Sequence, residues 1–382
     1  MTTAASQTTQ PEAAAAAPVD ARALRVKHLS RRYGQVQALS DLTLDIPAGA
    51  FVTLLGPSGC GKSTTLSLIA GLDKPTAGQV YLGDREITKM PPNERRMAMV
   101  FQNFALYPHM TAAENIGFGL KLQHRPRDEI RSRVAAVAEM LDIGHLLGRK
   151  PGEMSGGQQQ RVALGRALVK EPLAFLLDEP FSNLDAGLRT RMRTEVKHLH
   201  LRLETTSIFV THDQEEALTL SDLLAVMRAG ELVQFGTTDD IYRRPRDMYV
   251  ASFVGKPKMS LIEGMLEAGD GPVFTAPGVR IELPPRSVPG DPPGRVTAGL
   301  RAEDVTLVGA GEAEPGTSFE ATVELLEPIG SDTFVELAAA TSRLVARVAP
   351  DVRPAIGERV TVRVRPDRVH LFDTGSQLRI SA

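Results

Sequence analysis

Residues 56–64 read GPSGCGKST, directly after the apolar run AFVTLLG (50–56) and directly before TTLSLIAG (64–71). A glycine-rich turn between a buried strand and a helix points successive backbone amides inward at the positive end of that helix, where an anion is stabilised. The spacing G-x-x-x-x-G-K-[ST] is that of a phosphate loop, so the first 100 residues predict a strand–loop–helix unit built around a nucleotide. All nine positions, Gly56, Pro57, Ser58, Gly59, Cys60, Gly61, Lys62, Ser63 and Thr64, are candidate nucleotide-binding residues. Lys62 is placed to meet the β- and γ-phosphates, and Ser63 to offer its hydroxyl to Mg²⁺. Cys60 reads as a tolerated small side chain, because phosphoryl transfer to water needs no thiol nucleophile. A thiol in that loop still leaves room for sensitivity to thiol reagents.

The remaining pattern extends this unit. LAFLLDE (173–179) and TSIFVTH (206–212) are compact and β-leaning, as strands buried on both faces are. Between them Leu188, Met192, Val196, Leu199 and Leu203 recur every three or four residues, an apolar helical stripe from which Arg191, Arg193, Glu195 and Lys197 fall away. Beyond YRRPRD (242–247) the period changes to two, with Gly or Pro in most gaps. In RVTVRVR (359–365) Val360, Val362 and Val364 share one face, and the arginines and threonine the other. The expected organisation is a flexible N-terminal tail at 1–21, an α/β domain at 22–240, and a linker with a β-barrel domain at 241–382. With 44 basic and 46 acidic side chains the formal net charge is −2, unlike a chain whose main partner is nucleic acid. No apolar run approaches 18 residues, and Cys60 is the single cysteine, which fits a reducing compartment.

Carboxylates at the end of an apolar strand are costly unless they emerge at its C-terminal edge and meet a cation there. LLDEP (176–180) offers two. Asp178 is the expected Mg²⁺ partner, and Glu179 the residue that orients or deprotonates the attacking water. His212 follows another such strand and is placed to hydrogen-bond the γ-phosphate, since ligands gather at the carboxyl ends of parallel strands. Gln102, after MAMVF, brings an uncharged amide toward Mg²⁺ or the water. MSGGQQQRVALGRAL (154–168) holds a second helix start in which Ser155 is a suitable cap and Gly156 and Gly157 leave amides open. The same residues suit a plain capped helix or an element facing a nucleotide held by another copy, and spacing does not choose between them.

Together these residues resemble the ATP-binding cassette ATPases. Tyr33 matches the adenine-stacking position, SGGQ (155–158) the signature, LLDEP the Walker B strand, SNLD (182–185, ending in Asp185) the D-loop, and His212 the switch histidine. The runs PPNERRMAMVFQNFALYPHMTAAENIGFGLKL (91–122), THDQEEALTLSD (211–222), GLRAED (299–304) and RPDRVHLFD (365–373) are more closely similar to subunits of carbohydrate importers of the maltose and glycerol-phosphate type. That resemblance implies an α/β P-loop NTPase cassette with a helical subdomain at about 103–170, followed by an all-β OB-like domain.

It also implies a transport-coupled ATPase using ATP and Mg²⁺ in a head-to-tail homodimer or with a paired cassette subunit. Each ATP would lie between one phosphate loop and Ser155, Gly156, Gly157 and Gln158 of the other copy. Two transmembrane permease subunits docking near Gln102, an extracytoplasmic solute-binding protein acting indirectly, a cytoplasmic regulator at the C-terminal domain in some members, and a peripheral place on the cytoplasmic face of the membrane follow from the same resemblance. The expected solute is a sugar, sugar alcohol or glycerol phosphate. The alternatives are a polyamine, an inorganic anion or iron, or a soluble cassette acting on ribosomes or DNA. Three departures stand out: Met154 for a usual leucine, Gln159 for a usual arginine, and Phe181 for a common leucine.

Overall fold

A computed structural model describes residues 20–267, 271–285 and 294–381. The expected tail lies outside them except for Asp20 and Ala21. The described residues fall into two compact units, one drawn from 20–50 and 63–208 and the other from 51–62 and 209–381.

In the first unit, Leu24–Tyr33 pairs antiparallel with Val36–Ile46 on one side and Ala77–Leu82 on the other. Alternation places Leu24, Val26, Leu42, Leu44 and Ile46 inside. Met97–Val100 pairs in parallel with Ala174–Asp178, whose first four residues are buried. Three helices follow their local signals. Thr111 and Glu114 form a capping box for Ala112–Leu122, Pro126 precedes Arg127–Met140, and Ser155 with Gln158 forms a second capping box for Gly156–Leu168. Gly165 permits their close packing, since a Cβ there would stand 3.3 Å from Ile116 and Leu141. Asp185 accepts from Leu188 N at 2.9 Å and starts Ala186–Leu203. Met192 and Val196 bury the expected stripe. Arg193, expected to face away from that stripe, is buried instead, with its guanidinium 3.4 Å from Thr190 Oγ1.

In the second unit, Phe51–Leu55 is fully buried and pairs in parallel with Leu223–Arg228, which pairs antiparallel with Glu231–Thr237. Among the described residues, the β-rich remainder contains two five-stranded antiparallel sheets. Their inward residues, among them Ile262, Phe274, Ile281, Val296, Val335, Leu337, Val362 and Val364, make one apolar core. The period-two reading of 359–365 holds at Val362 and Val364, while Thr361 is also buried because its hydroxyl donates to Glu320 Oε1 at 2.8 Å.

His370 is buried at the start of His370–Asp373, next to Leu371, which joins this core. Burial, aided by Arg379, Arg301 and Arg368, pushes its pKa from 6.5 down to about 3. Between those values the unfolded chain binds a proton that the folded one refuses, so stability should fall as pH drops from about 6.5 toward 3. Melting curves of wild type and His370→Gln at pH 7 and 4.5 test this. Equal pH slopes would remove His370 from the account.

Candidate functional site: a phosphate loop and its neighbouring carboxylates

The loop is shaped by its own close contacts. Gly59 and Gly61 have φ of +79° and +101°, values that side chains resist. A Cβ on Gly56 would come within 2.5 Å of both Cys60 Sγ and Met227 O, so that position admits no side chain. Lys62 is 4% exposed, and its ammonium donates to Gly56 O at 2.7 Å and Pro57 O at 2.9 Å. Those two bonds leave the third ammonium donor near Cys60 Sγ, at 3.9 Å. The lysine is thus already gathered under the loop, and incoming phosphate oxygens can replace the carbonyls. Cys60 is 2% exposed, and burial raises its thiol pKa. Burial thus covers the sulfur and favours its thiol form. His212 is exposed directly after Thr206–Thr211.

Within the other unit, Ser63 Oγ donates to Asp178 Oδ1 at 3.0 Å across 115 residues of sequence. The chain leaves the buried strand at Asp178, so the carboxylate emerges half-buried at its C-terminal edge, as the strand pattern requires. A hydroxyl and a carboxylate converging in this way are hard oxygen donors suited to Mg²⁺, which takes one or two protein ligands and completes its shell with water and phosphate. No group of three or more His, Cys, Asp or Glu side chains placed to hold a metal ion occurs among the described residues.

Glu179 has φ +42°, in the left-handed region. For a residue with a Cβ this costs on the order of 1–3 kcal/mol. Its carbonyl is held by Ser182, which donates its backbone N–H at 3.3 Å and its hydroxyl at 3.0 Å. The turn thereby fixes where the Glu179 side chain starts. Gln102 is exposed, and its backbone carbonyl accepts from Asn183 Nδ2 at 2.9 Å, so the glutamine loop is tied to the segment after the carboxylates.

Tyr33 is 45% exposed. The Arg31 guanidinium lies 4.4 Å over its ring, and its hydroxyl donates to Asp73 Oδ2 at 2.5 Å. Asp73 is the meeting point: Arg31 also donates to its Oδ1 at 2.8 Å. The tyrosine is therefore braced on one face before anything stacks on the other.

At the second helix start, Ser155 Oγ accepts from Gln158 N at 3.4 Å, and Gln158 Oε1 from Ser155 N at 3.0 Å. Ser155 and Gln158 are thus used in capping, while the amides of Gly156 and Gly157 precede the first intrahelical bond, Gln159 N to Ser155 O. The glycines also have a packing reason. A Cβ on Gly157 would lie 2.8 Å from Leu188 Cδ1, and one on Gly156 3.3 Å from Leu184. Gln159 donates through Nε2 to Pro151 O at 2.9 Å and Met154 O at 3.3 Å, anchoring the approach to the signature. Met154 and Phe181 are both buried.

Four residues that sequence reasoning missed organise this region through backbone carbonyls. Arg95, 3% exposed, donates to Leu68 O and Ile69 O at the end of the phosphate-loop helix, and to Thr88 O and Met90 O. Arg166 donates to Phe104 O and Ala105 O, both residues at positive φ just after Gln102. Asn115 is wholly buried and binds Tyr107 N, Tyr107 O, Met110 O and Thr111 O, fixing the next part of that loop. Asn183 is the fourth. The only sequence trace was a polar residue in an apolar helical run, as with Asn115 in ENIGFGL and Arg166 in VALGRAL.

Residues 39–182 match the ABC transporter family, and residues 298–372 the TOBE domain family. Over 359 residues the chain is 45% identical to the sn-glycerol-3-phosphate import ATP-binding protein of Chromobacterium violaceum, covering 94% of this chain and 96% of that one. It is 44% identical over 361 residues to the sulfoquinovosyl glycerol transport ATP-binding protein of Agrobacterium fabrum, covering 93% and 98% respectively. Among solved structures, a dimeric ATP-binding cassette in a post-hydrolysis state bound to ADP and phosphate matches with a TM-score of 0.51 at 33% identity, covering 56% of this chain and 98% of that one.

Proposed function

This chain belongs to the family of ATP-binding subunits of ABC importers, and from that premise we propose the roles of its residues, its partners and its solute class. It is an ATPase, converting ATP and water to ADP and phosphate in the service of import. The observation that carries the site assignment is the 3.0 Å contact of Ser63 with Asp178, at the end of a loop whose Lys62 is buried beneath its carbonyls.

Lys62 and the amides of Gly59 to Ser63 bind the phosphates, with Gly56, Pro57, Ser58 and Thr64 completing the loop. Tyr33 stacks on the adenine with its face free of Arg31. Ser63 and Asp178 would hold Mg²⁺, with Gln102 adding an amide oxygen to the metal or the water; an ion held there would supply positive charge to the transferring phosphoryl group. Glu179 orients the water and takes up its proton, and His212 holds the γ-phosphate.

The active form is a head-to-tail dimer, homomeric or with a paired cassette subunit. In it Ser155, Gly156, Gly157 and Gln158 of one copy face the nucleotide of the other, and Asp185 lies at the same interface. The open amides of Gly156 and Gly157 support this reading, as does the dimeric relative. ATP must bind the closed dimer more tightly than the open one for binding to drive closure. Two transmembrane permease subunits dock on the loop that Asn115 and Arg166 shape, on the cytoplasmic face of the membrane, and an extracytoplasmic binding protein delivers the solute. A regulator at the C-terminal domain belongs to the same reading. No helix among the described residues is long and apolar enough to cross a membrane, in keeping with a peripheral subunit. The names of the relatives favour a sugar, sugar alcohol or glycerol phosphate as solute.

The dimer arrangement is tested by mixing. Ser155→Arg should poison hydrolysis in the neighbouring site, at a cost of about 1 kcal/mol in lost capping that a melting control records. Mixed with Lys62→Ala chains, it should restore at most one competent site per dimer. Two competent sites would contradict the assignment across the interface.

A further inference from the structure

Tyr33 closes the strand Leu24–Tyr33 as a half-exposed ring. On two side-chain torsions such a ring would wander, and a base stacking on it would first have to order it, at a cost taken from the affinity. The contacts that remove this freedom converge on one carboxylate. Tyr33 donates its hydroxyl to Asp73 Oδ2, and Arg31 donates to Asp73 Oδ1 at 2.8 Å while its guanidinium lies 4.4 Å over the tyrosine ring. Lys74 N also donates to Asp73 Oδ1, at 2.7 Å, so both carboxylate oxygens are in use. The Arg31 and Asp73 side chains are 22% and 25% exposed, too covered to count as a loose surface pair.

Asp73 reaches this place because of how the phosphate-loop helix ends. After Lys62–Ala70, Gly71 takes φ +77°, Gly71 N donates to Leu68 O at 3.2 Å and Leu72 N to Ser67 O at 2.9 Å, the two bonds of a left-handed C-terminal cap. A Cβ on Gly71 would lie 2.4 Å from Arg95 Nε, so the arginine that binds Leu68 O and Ile69 O also requires the glycine. The turn delivers Asp73 two residues later, its own N–H donating to Ser67 O at 3.4 Å. Further on, Thr76 N donates to Ser30 O at 2.8 Å and Arg32 N to Thr76 Oγ1 at 3.0 Å, which stitches this segment to the strand of Tyr33. The ring is thus tied to the far end of the helix whose first turn carries Ser63.

We propose that Asp73 is a positioning residue for the nucleobase. It holds the Tyr33 hydroxyl and the Arg31 guanidinium together, and so keeps the ring ready to stack at a fixed place relative to the phosphate-loop helix. The inference rests on the stacking role of Tyr33 proposed above, and Asp73 acts through that ring rather than on the nucleotide. Ordering one such side chain in advance is worth about two- to tenfold in affinity. Only a ligand that carries a base gains it.

The test titrates the full chain, in Mg²⁺, with a non-hydrolysable ATP analogue and with tripolyphosphate, which offers phosphates and no base. Asp73→Ala should weaken the analogue by about two- to tenfold and leave tripolyphosphate unmoved. Asp73→Asn keeps the shape with one acceptor oxygen in place of two, and should act in the same direction. In a Tyr33→Ala chain the analogue is weakened from the start, and adding Asp73→Ala should weaken it no further. A change in charge or in the loop's general order would shift both ligands together, and that result would overturn the proposal. So would analogue binding unchanged in both Asp73 variants, or an Asp73→Ala effect that persists in full without the Tyr33 ring. Unchanged analogue binding in Tyr33→Ala alone would instead bring down the stacking role itself, and the proposal with it.

Discussion

Glu179→Gln should leave Mg·ATP binding intact and lower hydrolysis by roughly two to three decades, about 3–4 kcal/mol of barrier. The amide has the size of the carboxylate, so the turn that Ser182 holds at the Glu179 carbonyl is preserved, as is the positive φ of that residue. What is lost is the negative oxygen that accepts the water's proton as the bond to phosphorus forms. A neutral side chain beside a triphosphate also removes a like-charge repulsion, so the closed, ATP-loaded dimer should accumulate. Two measurements separate the effects: nucleotide titration for binding, and phosphate release from the assembled transporter for turnover. Wild-type release by the variant would remove Glu179 from its role.

The left-handed Glu179 illustrates what the sequence could and could not convey. That a carboxylate pair would emerge after LAFLL was legible, because a buried apolar strand cannot carry charge within its length. The backbone strain was not, since it arises from a turn closed by Ser182. Helix starts were likewise readable from Ser155 and from the phosphate-loop pattern, whose chemistry is local. Gly157 was read as an open amide, yet its position is equally demanded by Leu188, 31 residues away. The partners of the arginine clamps were hidden for a similar reason. Arg95, Arg166 and Arg301 bind backbone carbonyls, which every residue offers, so no partner residue type marks the contact in sequence. Tyr33 was placed by resemblance, while its support by Arg31 and Asp73 needed the fold to bring position 73 to position 33. Period two in 359–365 foretold a strand, but the burial of Thr361 depended on Glu320 from another strand.

Lys62→Ala tests the loop from the binding side. The ammonium lies beneath Gly56 O and Pro57 O at 2.7 and 2.9 Å, so its removal takes away the phosphates' cation and also strips the partner from carbonyls that shape the loop. Charge-assisted hydrogen bonds are worth about 1.5–3 kcal/mol each, so affinity for Mg·ATP should fall by roughly ten- to a hundredfold or more. Lys62→Met separates the ammonium from the packing of its stem. It keeps most of the apolar stem that is buried here and removes the charge together with its bonds to Gly56 O and Pro57 O, so it should match the loss of affinity while melting closer to wild type. Lys62→Arg should fail to rescue, because a planar guanidinium is larger than the ammonium it replaces and the site is 4% exposed and closed by Cys60. Were all three variants to titrate with nucleotide as the wild type does, the loop would not be gripping phosphate, and the site built upon it would have to be sought elsewhere.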